Sequence, residues 1–118
     1  MSTAAADQPL LGQNVLITGA TGGIGHQTAR LLARSGARVI ITGREPDTGE
    51  EAAAAIRRES GPDSVTFQRA GHSTVGGNQD LADQVRAAVP RLNALINNVG
   101  GLYQTRWETP TATRRRLR

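Results

Sequence analysis

The sequence predicts an α/β protein containing part of a Rossmann-type, doubly wound parallel sheet of about four strands and three helices. Three observations predict this fold. Short apolar runs alternate with longer amphipathic segments of helical length. The runs at 15–17 and 39–41 are continuously apolar, as in strands covered by helices on both faces. The connections are short, which favours right-handed β–α–β crossovers.

The predicted strands cover residues 14–19, 38–42, 64–68 and 93–98, and the predicted helices cover residues 24–36, 46–61 and 78–89. The first helix has apolar and small residues at helical spacing and ends at a glycine that suits a C-terminal cap; these residues are Ile24, Thr28, Leu31, Leu32, Ser35 and Gly36. The second helix is rich in alanine, with acidic residues early and arginines late. Leu81, Val85 and Ala88 form one stripe on the third.

A chain of 118 residues is expected to form one domain. We predict a flexible leader at 1–11, an α/β unit at 12–109 and a disordered basic tail at 110–118. All 14 basic residues are arginines, and the tail holds four of them: Arg114, Arg115, Arg116 and Arg118. The remaining arginines equal the acidic residues in number, so the body is neutral, which argues against a nucleic-acid partner. The tail is then interpreted as a solvated charge run.

Several classes of site are excluded by composition. The chain contains no cysteine, and its two histidines, His26 and His72, are far apart in sequence, so we expect neither disulfides nor a metal site. The first residues lack the features of a secretory signal, and no apolar run is long enough to span a membrane. The prediction is a cytoplasmic protein without a membrane partner.

The glycine-rich segment TGATGGIG at 18–25 follows the first strand and opens the first helix. Gly19 would permit a tight exit from the strand, Gly23 would let the backbone approach a diphosphate, and Gly25 would let the helix pack closely. The free N–H groups of the first helical turn would face the phosphates. The other residues expected to line this groove are Thr21, Gly22 and Ile24. A glycine cluster can also be a flexible loop, but its place between strand and helix favours dinucleotide binding.

Arg44 follows the second strand, where dinucleotide folds meet the adenosine ribose. An acidic residue there would bind the 2′-hydroxyl of NAD, whereas a guanidinium suits the 2′-phosphate of NADP. The position therefore favours NADP over NAD. The alternative is an ordinary surface arginine at a helix start, with Glu45 competing for the guanidinium.

Together with LINNVGG at 95–101, the glycine segment resembles the motifs of the short-chain dehydrogenases/reductases. The second motif is similar to the family's Asn-Asn-Ala-Gly signature, with Val99 in place of alanine. The segments GHSTVGGNQDLADQV and NNVGGLYQTRWET resemble a retinol-dehydrogenase-like branch among bacterial oxidoreductases, and the likeness covers about residues 11–110. The resemblance implies an NAD(P)-dependent oxidoreductase acting on carbonyl/alcohol pairs of small-molecule substrates, with residues 12–109 as the dinucleotide-binding half of its Rossmann domain.

The resemblance also implies roles for the end of the fourth strand. Asn97 would contact the adenosine ribose side, and Asn98, Val99 and Gly100 would shape the strand end beneath the cofactor. The alternative for the two asparagines is a polar strand end making turn hydrogen bonds.

One position departs from the family pattern. Gly71 stands where the family places an aspartate that binds the adenine amino group, so that contact is expected to be weaker by about 1 kcal/mol. His72 can partly substitute, although a solvated loop histidine is the preferred interpretation.

The family's catalytic serine and Tyr-x-x-x-Lys pair cannot be assigned. The chain has no lysine, and its one tyrosine, Tyr103, comes too soon after the fourth strand. Tyr103 and Trp107 can cover a substrate mouth or pack locally. We therefore expect a truncated form that keeps the cofactor-binding part, the alternative being a non-catalytic NADP(H)-binding module. Neither the substrate nor the oligomeric state is predicted.

Truncation carries two further expectations. The fourth strand would leave Leu95 and Ile96 on a bare sheet edge, which favours aggregation. In this branch Trp-Glu-Thr is commonly followed by Pro-Asp-Gly-Tyr-Glu-Ala-Thr-Leu-Ala, and deleting one G from GC-rich codons for that run yields Pro-Thr-Ala-Thr-Arg-Arg-Arg-Leu-Arg, residues 110–118. The tail is therefore hypothesised to be a frameshifted translation.

Overall fold

The chain folds into one parallel sheet with helices between its strands, in a computed structural model that describes residues 8–72 and 74–99. The strands are β1 (Asn14–Ile17), β2 (Arg38–Gly43), β3 (Val65–Arg69) and β4 (Ala94–Ile96). The helices are α1 (Gly23–Arg34), α2 (Pro46–Ser60) and α3 (Val75–Ala88). The predicted α/β fold is confirmed. The predicted tail at 110–118, Gly100, Tyr103 and Trp107 lie outside the described residues.

The sheet has the strand order β3-β2-β1-β4, and every pair of neighbours is parallel. Val15 in β1 lies opposite Val39 in β2 on one side and Ala94 in β4 on the other. The chain therefore moves outward from β1 through β2 to β3 and then returns to the other side of β1. A doubly wound sheet has its binding crevice where the strand order reverses, outside the carboxyl ends of the strands. Here that point lies between β1 and β4.

Both faces of the central strands are buried, which explains their continuous apolar runs. Val15 and Ile17 belong to a core with Ala29 and Ala33 of α1 and residues of α2. Leu16 belongs to a second core, whose other members are Ile40, Ala70, Leu81, Val85 and Val89. Adjacent residues of a strand point to opposite faces, so helices on both sides require apolar residues at every position.

Two of the three large apolar residues used to predict α1 lie outside its buried face, and the third, Leu32, is only partly buried against the core. Ile24 is 82% exposed and Leu31 is 57% exposed. The buried residues are Gly25, Ala29 and Ala33, spaced four apart. Small residues let the helix axis come close to the sheet, so that close packing, and not side-chain size, selects the inward face.

The bounds of α3 and β4 differ from the predicted ones, and β1 and α1 each end two residues earlier than predicted. α3 begins at Val75 and not at residue 78, because the Thr74 hydroxyl caps it by accepting the Gly77 N–H at 3.0 Å. Ala88, predicted on the buried stripe of α3, is exposed. β4 is limited to three residues, and Asn98 beyond it donates its side-chain amide to the Gly19 carbonyl of the glycine loop.

The two ends of the described chain differ in packing. Leu10, inside the predicted leader, packs against the core, and its N–H donates to the Ser35 carbonyl at 2.9 Å. Leu95 in β4 is 52% exposed, whereas Ile96 is partly buried against the core.

An ion-pair cluster joins α1 to α2 on the surface. Arg30 Nε donates to Glu59 Oε2 at 2.7 Å, and Arg34 Nε lies 3.4 Å from Glu59 Oε1. The hydrogen bond and the charge of Arg30 lower the pKa of the Glu59 carboxyl, and the same bond raises the pKa of Arg30. These groups are solvent-exposed, so the cluster orients the helices more than it stabilises them.

Candidate functional site

The loop from β1 to α1 lies at the switch point and is tied to the end of β4. The Thr18 hydroxyl accepts the N–H groups of Asn98 at 3.0 Å and Val99 at 3.2 Å. The Asn98 side-chain amide donates to the Gly19 carbonyl at 3.1 Å. The two sequence motifs, about 75 residues apart, thus meet through direct hydrogen bonds.

Two of the glycines are required by close contacts within the protein. Gly19 has φ +67°, and a Cβ there would lie 2.6 Å from Val99 Cγ2. A Cβ on Gly25 would overlap the Asn98 amide and lie 3.1 Å from the Ala20 Cα. Gly19 therefore serves the tight turn and Gly25 the close packing of α1.

Gly22 and Gly23 differ from Gly19 and Gly25 because they face open space. An added Cβ at either position would meet no described atom within 4 Å, and Gly23 has φ +61°. Gly22 is the N-cap of α1, and the first turn of this helix carries no acidic residue. The first bond inside α1 runs from the His26 N–H to the Gly22 carbonyl, so the amides of Gly23 to Gly25 precede the helical ladder. The result is an open helix N-terminus with no Cβ on either of the two residues that begin it.

Thr21 lies over the end of β2. It is half-buried, and its methyl carbon would be 2.6 Å from a Cβ on Gly43. Gly43 thus leaves room for the loop to cross β2, which places Thr21 between the loop glycines and Arg44.

Arg44 is exposed just beyond β2, next to a second arginine from β3. Arg69 Nε donates to the Arg44 carbonyl at 3.2 Å. The four ion pairs found among residues 8–72 and 74–99 involve neither Arg44 nor Glu45. Two guanidinium groups therefore flank this strand end, and the predicted competition from Glu45 is not seen there.

His72 is not the solvated loop histidine that the sequence favoured. Its Nε2 lies 2.9 Å from Thr42 Oγ1, and its Nδ1 lies 2.7 Å from Asn78 Oδ1. Thr42 is fully buried, and its hydroxyl also accepts the Gly19 N–H at 3.0 Å. The ring points into the protein because β2 and α3 both offer it polar partners.

Gly71 is exposed, and an added Cβ there would meet nothing within 4 Å. Its carbonyl is packed against Gly77 of α3 so closely that a Cβ on Gly77 would overlap it. Position 71 therefore has room for a side chain on its open side.

The structure brings most of the predicted site to one edge of the sheet. The predicted residues gathered there are Gly19, Thr21, Gly22, Gly23, Ile24, Gly25, Arg44, Asn97 and Val99. Sequence reasoning missed the supporting roles of Thr18, Thr42 and His72, and it gave Asn98 no specific contact. Thr18 and Thr42 are polar residues at the ends of buried strands, and that position was the available signal.

Other features lie away from this edge. A cavity of about 700 Å³ opens at the amino-terminal edge of the sheet, where Asn14, Gly36 and Ser64 are among its lining residues. Within the described ranges, no three His, Asp or Glu side chains come together as a metal site would require. The described helices are too short or too polar to cross a membrane.

Comparison with known proteins gives consistent matches. A family model described as short chain dehydrogenase matches residues 13–115. Mouse polyprenol dehydrogenase is 35% identical over 92% of this chain and 32% of its own length. Mouse retinol dehydrogenase 12 is 42% identical over 75% of this chain and 28% of its own length. The chain thus spans about a third of the length of these curated relatives.

A solved short chain dehydrogenase from Shigella flexneri 2a str. 301, complexed with NADP, superposes with a TM-score of 0.75. It is 32% identical, over 81% of this chain and 41% of that chain.

Proposed function

This chain belongs to the short-chain dehydrogenase family, and on that premise we propose that it is the NADP(H)-binding part of an oxidoreductase acting on carbonyl/alcohol pairs of small molecules. Residues 12–109 form the cofactor-binding half of the domain in this proposal. The observation that carries it is the open helix N-terminus at Gly22 and Gly23, located at the switch point of the sheet.

The diphosphate of the cofactor fits this loop for two reasons. The amides of Gly23, Ile24 and Gly25 stand at the positive end of the α1 dipole, before the helical ladder begins. The missing Cβ atoms at Gly22 and Gly23 leave room for a ligand to reach those amides. Asn97 and Val99 complete the groove from the β4 side in this proposal.

The preference for NADP over NAD rests on charge at the end of β2. Arg44 is exposed, with Arg69 beside it, and a guanidinium fork matches a phosphate better than a ribose hydroxyl. The relative complexed with NADP is in keeping with this assignment.

The residues of this chain bind and orient, and none of them is assigned to proton transfer. Bound NADPH would supply the hydride that reduces a carbonyl carbon. The family's tyrosine requires a nearby lysine to lower its pKa, and this sequence contains no lysine. A second candidate function, supported by the same open helix N-terminus, is a non-catalytic NADP(H)-binding module.

A binding and turnover experiment on the 118-residue chain tests the proposal. We expect NADPH fluorescence to change on binding, while NADPH absorbance stays constant when aldehydes or ketones are added. Absence of any binding would refute the cofactor assignment, and carbonyl-dependent loss of NADPH would refute the proposed lack of catalytic residues. Turnover by a longer reading frame, with none by this chain, would separate the oxidoreductase from the non-catalytic module.

Replacement of Gly71 by aspartate is expected to tighten NADPH binding about fivefold, the worth of one added hydrogen bond of roughly 1 kcal/mol. The position has space for a side chain, and an aspartate would supply an acceptor to the adenine amino group. Gly71→Ala is the matched control, since it adds a Cβ without an acceptor and should leave affinity unchanged. Equal affinities for Gly71→Asp and Gly71→Ala would place the adenine elsewhere. Isothermal titration with NADPH measures all three proteins.

A further inference from the structure

Hydrogen bonds through His72 connect the first turn of α3 to the glycine loop. The connection runs from Asn78 Oδ1 to His72 Nδ1 at 2.7 Å, and from His72 Nε2 to Thr42 Oγ1 at 2.9 Å. It ends where Thr42 Oγ1 accepts the Gly19 N–H at 3.0 Å. We call these four groups the His72 chain.

The direction of each bond follows from the partners of Asn78. Its side-chain Nδ2 donates to the carbonyl of Thr74 at 2.9 Å and to that of His72 at 3.3 Å. Oδ1 therefore faces the ring and accepts from Nδ1–H. In the neutral ring Nε2 is then an acceptor, so the Thr42 hydroxyl donates to it while its lone pair receives the Gly19 N–H. Every donor and acceptor of the His72 chain is satisfied by this one arrangement.

The His72 chain ends at Gly19, where the glycine loop leaves β1. Gly19 is the first glycine after β1 and has φ +67°. The Thr42 carbonyl also accepts the next amide, that of Ala20, at 3.2 Å. Thr42 is 0% exposed, so water cannot replace its hydroxyl if the hydroxyl is removed or turned away. Asn98 fixes the Gly19 carbonyl from the opposite side at 3.1 Å.

We propose that His72 is a positioning residue for the dinucleotide, acting through Thr42 to fix the path of the glycine loop. This inference rests on the proposed NADP(H) binding and deepens it. The ring does not touch the cofactor in this account. It keeps the Thr42 hydroxyl oriented so that the oxygen lone pair stays directed at the Gly19 amide, and the loop keeps the shape in which the α1 amides are open.

Affinity measurements on three variants test the proposal. Thr42→Val keeps the shape of the buried side chain and removes the hydroxyl, and His72→Leu removes the ring nitrogens. Each is expected to weaken NADPH binding about fivefold, as for the loss of one hydrogen bond. Thr42→Ser retains the hydroxyl and should bind within about twofold of the wild type, well inside the energy of one such bond. The double variant Thr42→Val/His72→Leu should bind no more weakly than Thr42→Val, because both changes break the same connection.

Nitrogen-15 NMR of the ligand-free chain gives a readout that general destabilisation does not move. We expect His72 to be protonated at Nδ1 and unprotonated at Nε2, and the Gly19 amide resonance to move in both Thr42→Val and His72→Leu. An Nε2–H tautomer, an unmoved Gly19 amide, or additive affinity losses in the double variant would overturn the role of His72. Wild-type chain that binds no NADPH would overturn the proposed function instead, whereas normal binding by all variants would overturn this inference alone.

Discussion

Replacement of Gly23 by alanine is expected to weaken NADPH binding by more than about tenfold, equivalent to roughly 1.4 kcal/mol. Gly23 begins α1 with φ +61°, and a Cβ there would project into space that no described atom occupies. In the proposed complex that space admits the diphosphate, so a methyl group would separate the phosphates from the helix amides. The variant should also lose about 1–2 kcal/mol of folding stability, because alanine is strained at positive φ.

Gly12→Ala separates the two effects. Gly12 also has positive φ, +85°, and an added Cβ would likewise meet nothing within 4 Å. It precedes β1 at the opposite end of the strand from the glycine loop. Both variants should lower the melting temperature, but only Gly23→Ala should lose NADPH affinity. Equal affinities in the two variants would show that the surface at Gly23 does not receive the ligand.

Replacement of Arg44 by aspartate is expected to reverse the cofactor preference. Loss of charge-assisted hydrogen bonds to a 2′-phosphate corresponds to about 1.5–3 kcal/mol, so NADPH should bind more weakly by a factor between about 10 and about 150. NADH should bind at least as well as before, because a carboxylate there can accept from the ribose 2′-hydroxyl. Titrations of both nucleotides with each protein measure the change in their ratio.

The matched control is Arg58→Asp. Arg58 is an exposed arginine near the end of α2, so its replacement alters the net charge equally without altering the strand end. It should leave the NADPH-to-NADH ratio unchanged. A similar loss of NADPH affinity in both variants would mean that general electrostatic attraction, and not a 2′-phosphate contact, explains the effect. If Arg44→Asp still preferred NADPH over NADH, the 2′-phosphate contact would be assigned to Arg69 in place of Arg44.

The features that could be predicted from sequence were those determined by neighbouring residues along the chain, namely the pattern of apolar residues and the backbone conformations that favour glycine. Continuous apolar runs such as 15–17 predict strands buried on both faces, and the structure places helices on both sides of the sheet. Glycines with positive φ occur at Gly19 and Gly23 because only glycine adopts that geometry without strain. The order of strands and helices then brings the loop, Arg44 and Asn97 to one edge.

The features that escaped prediction depend on contacts between distant segments. The inward face of α1 is selected by the distance to the sheet, which favours Ala29 over Leu31. His72 turns inward because Thr42 and Asn78, from different elements, offer it matching polar groups. The residues next to His72 in sequence do not show that Thr42 and Asn78 are its hydrogen-bond partners. From sequence alone, an isolated histidine after a strand is therefore assigned to a solvated loop.

A titration of nitrogen-15-labelled chain with NADPH, followed residue by residue through the amide resonances, shows directly whether the glycine loop binds the dinucleotide. We expect the amides of Gly22 to Gly25 and of Arg44 to shift together and to saturate at one nucleotide per chain. Amides around the cavity at the amino-terminal edge, including those of Gly36 and Ser64, should remain in place. Shifts confined to that cavity, or a glycine loop that does not respond to saturating NADPH, would show that the dinucleotide does not bind at the glycine loop.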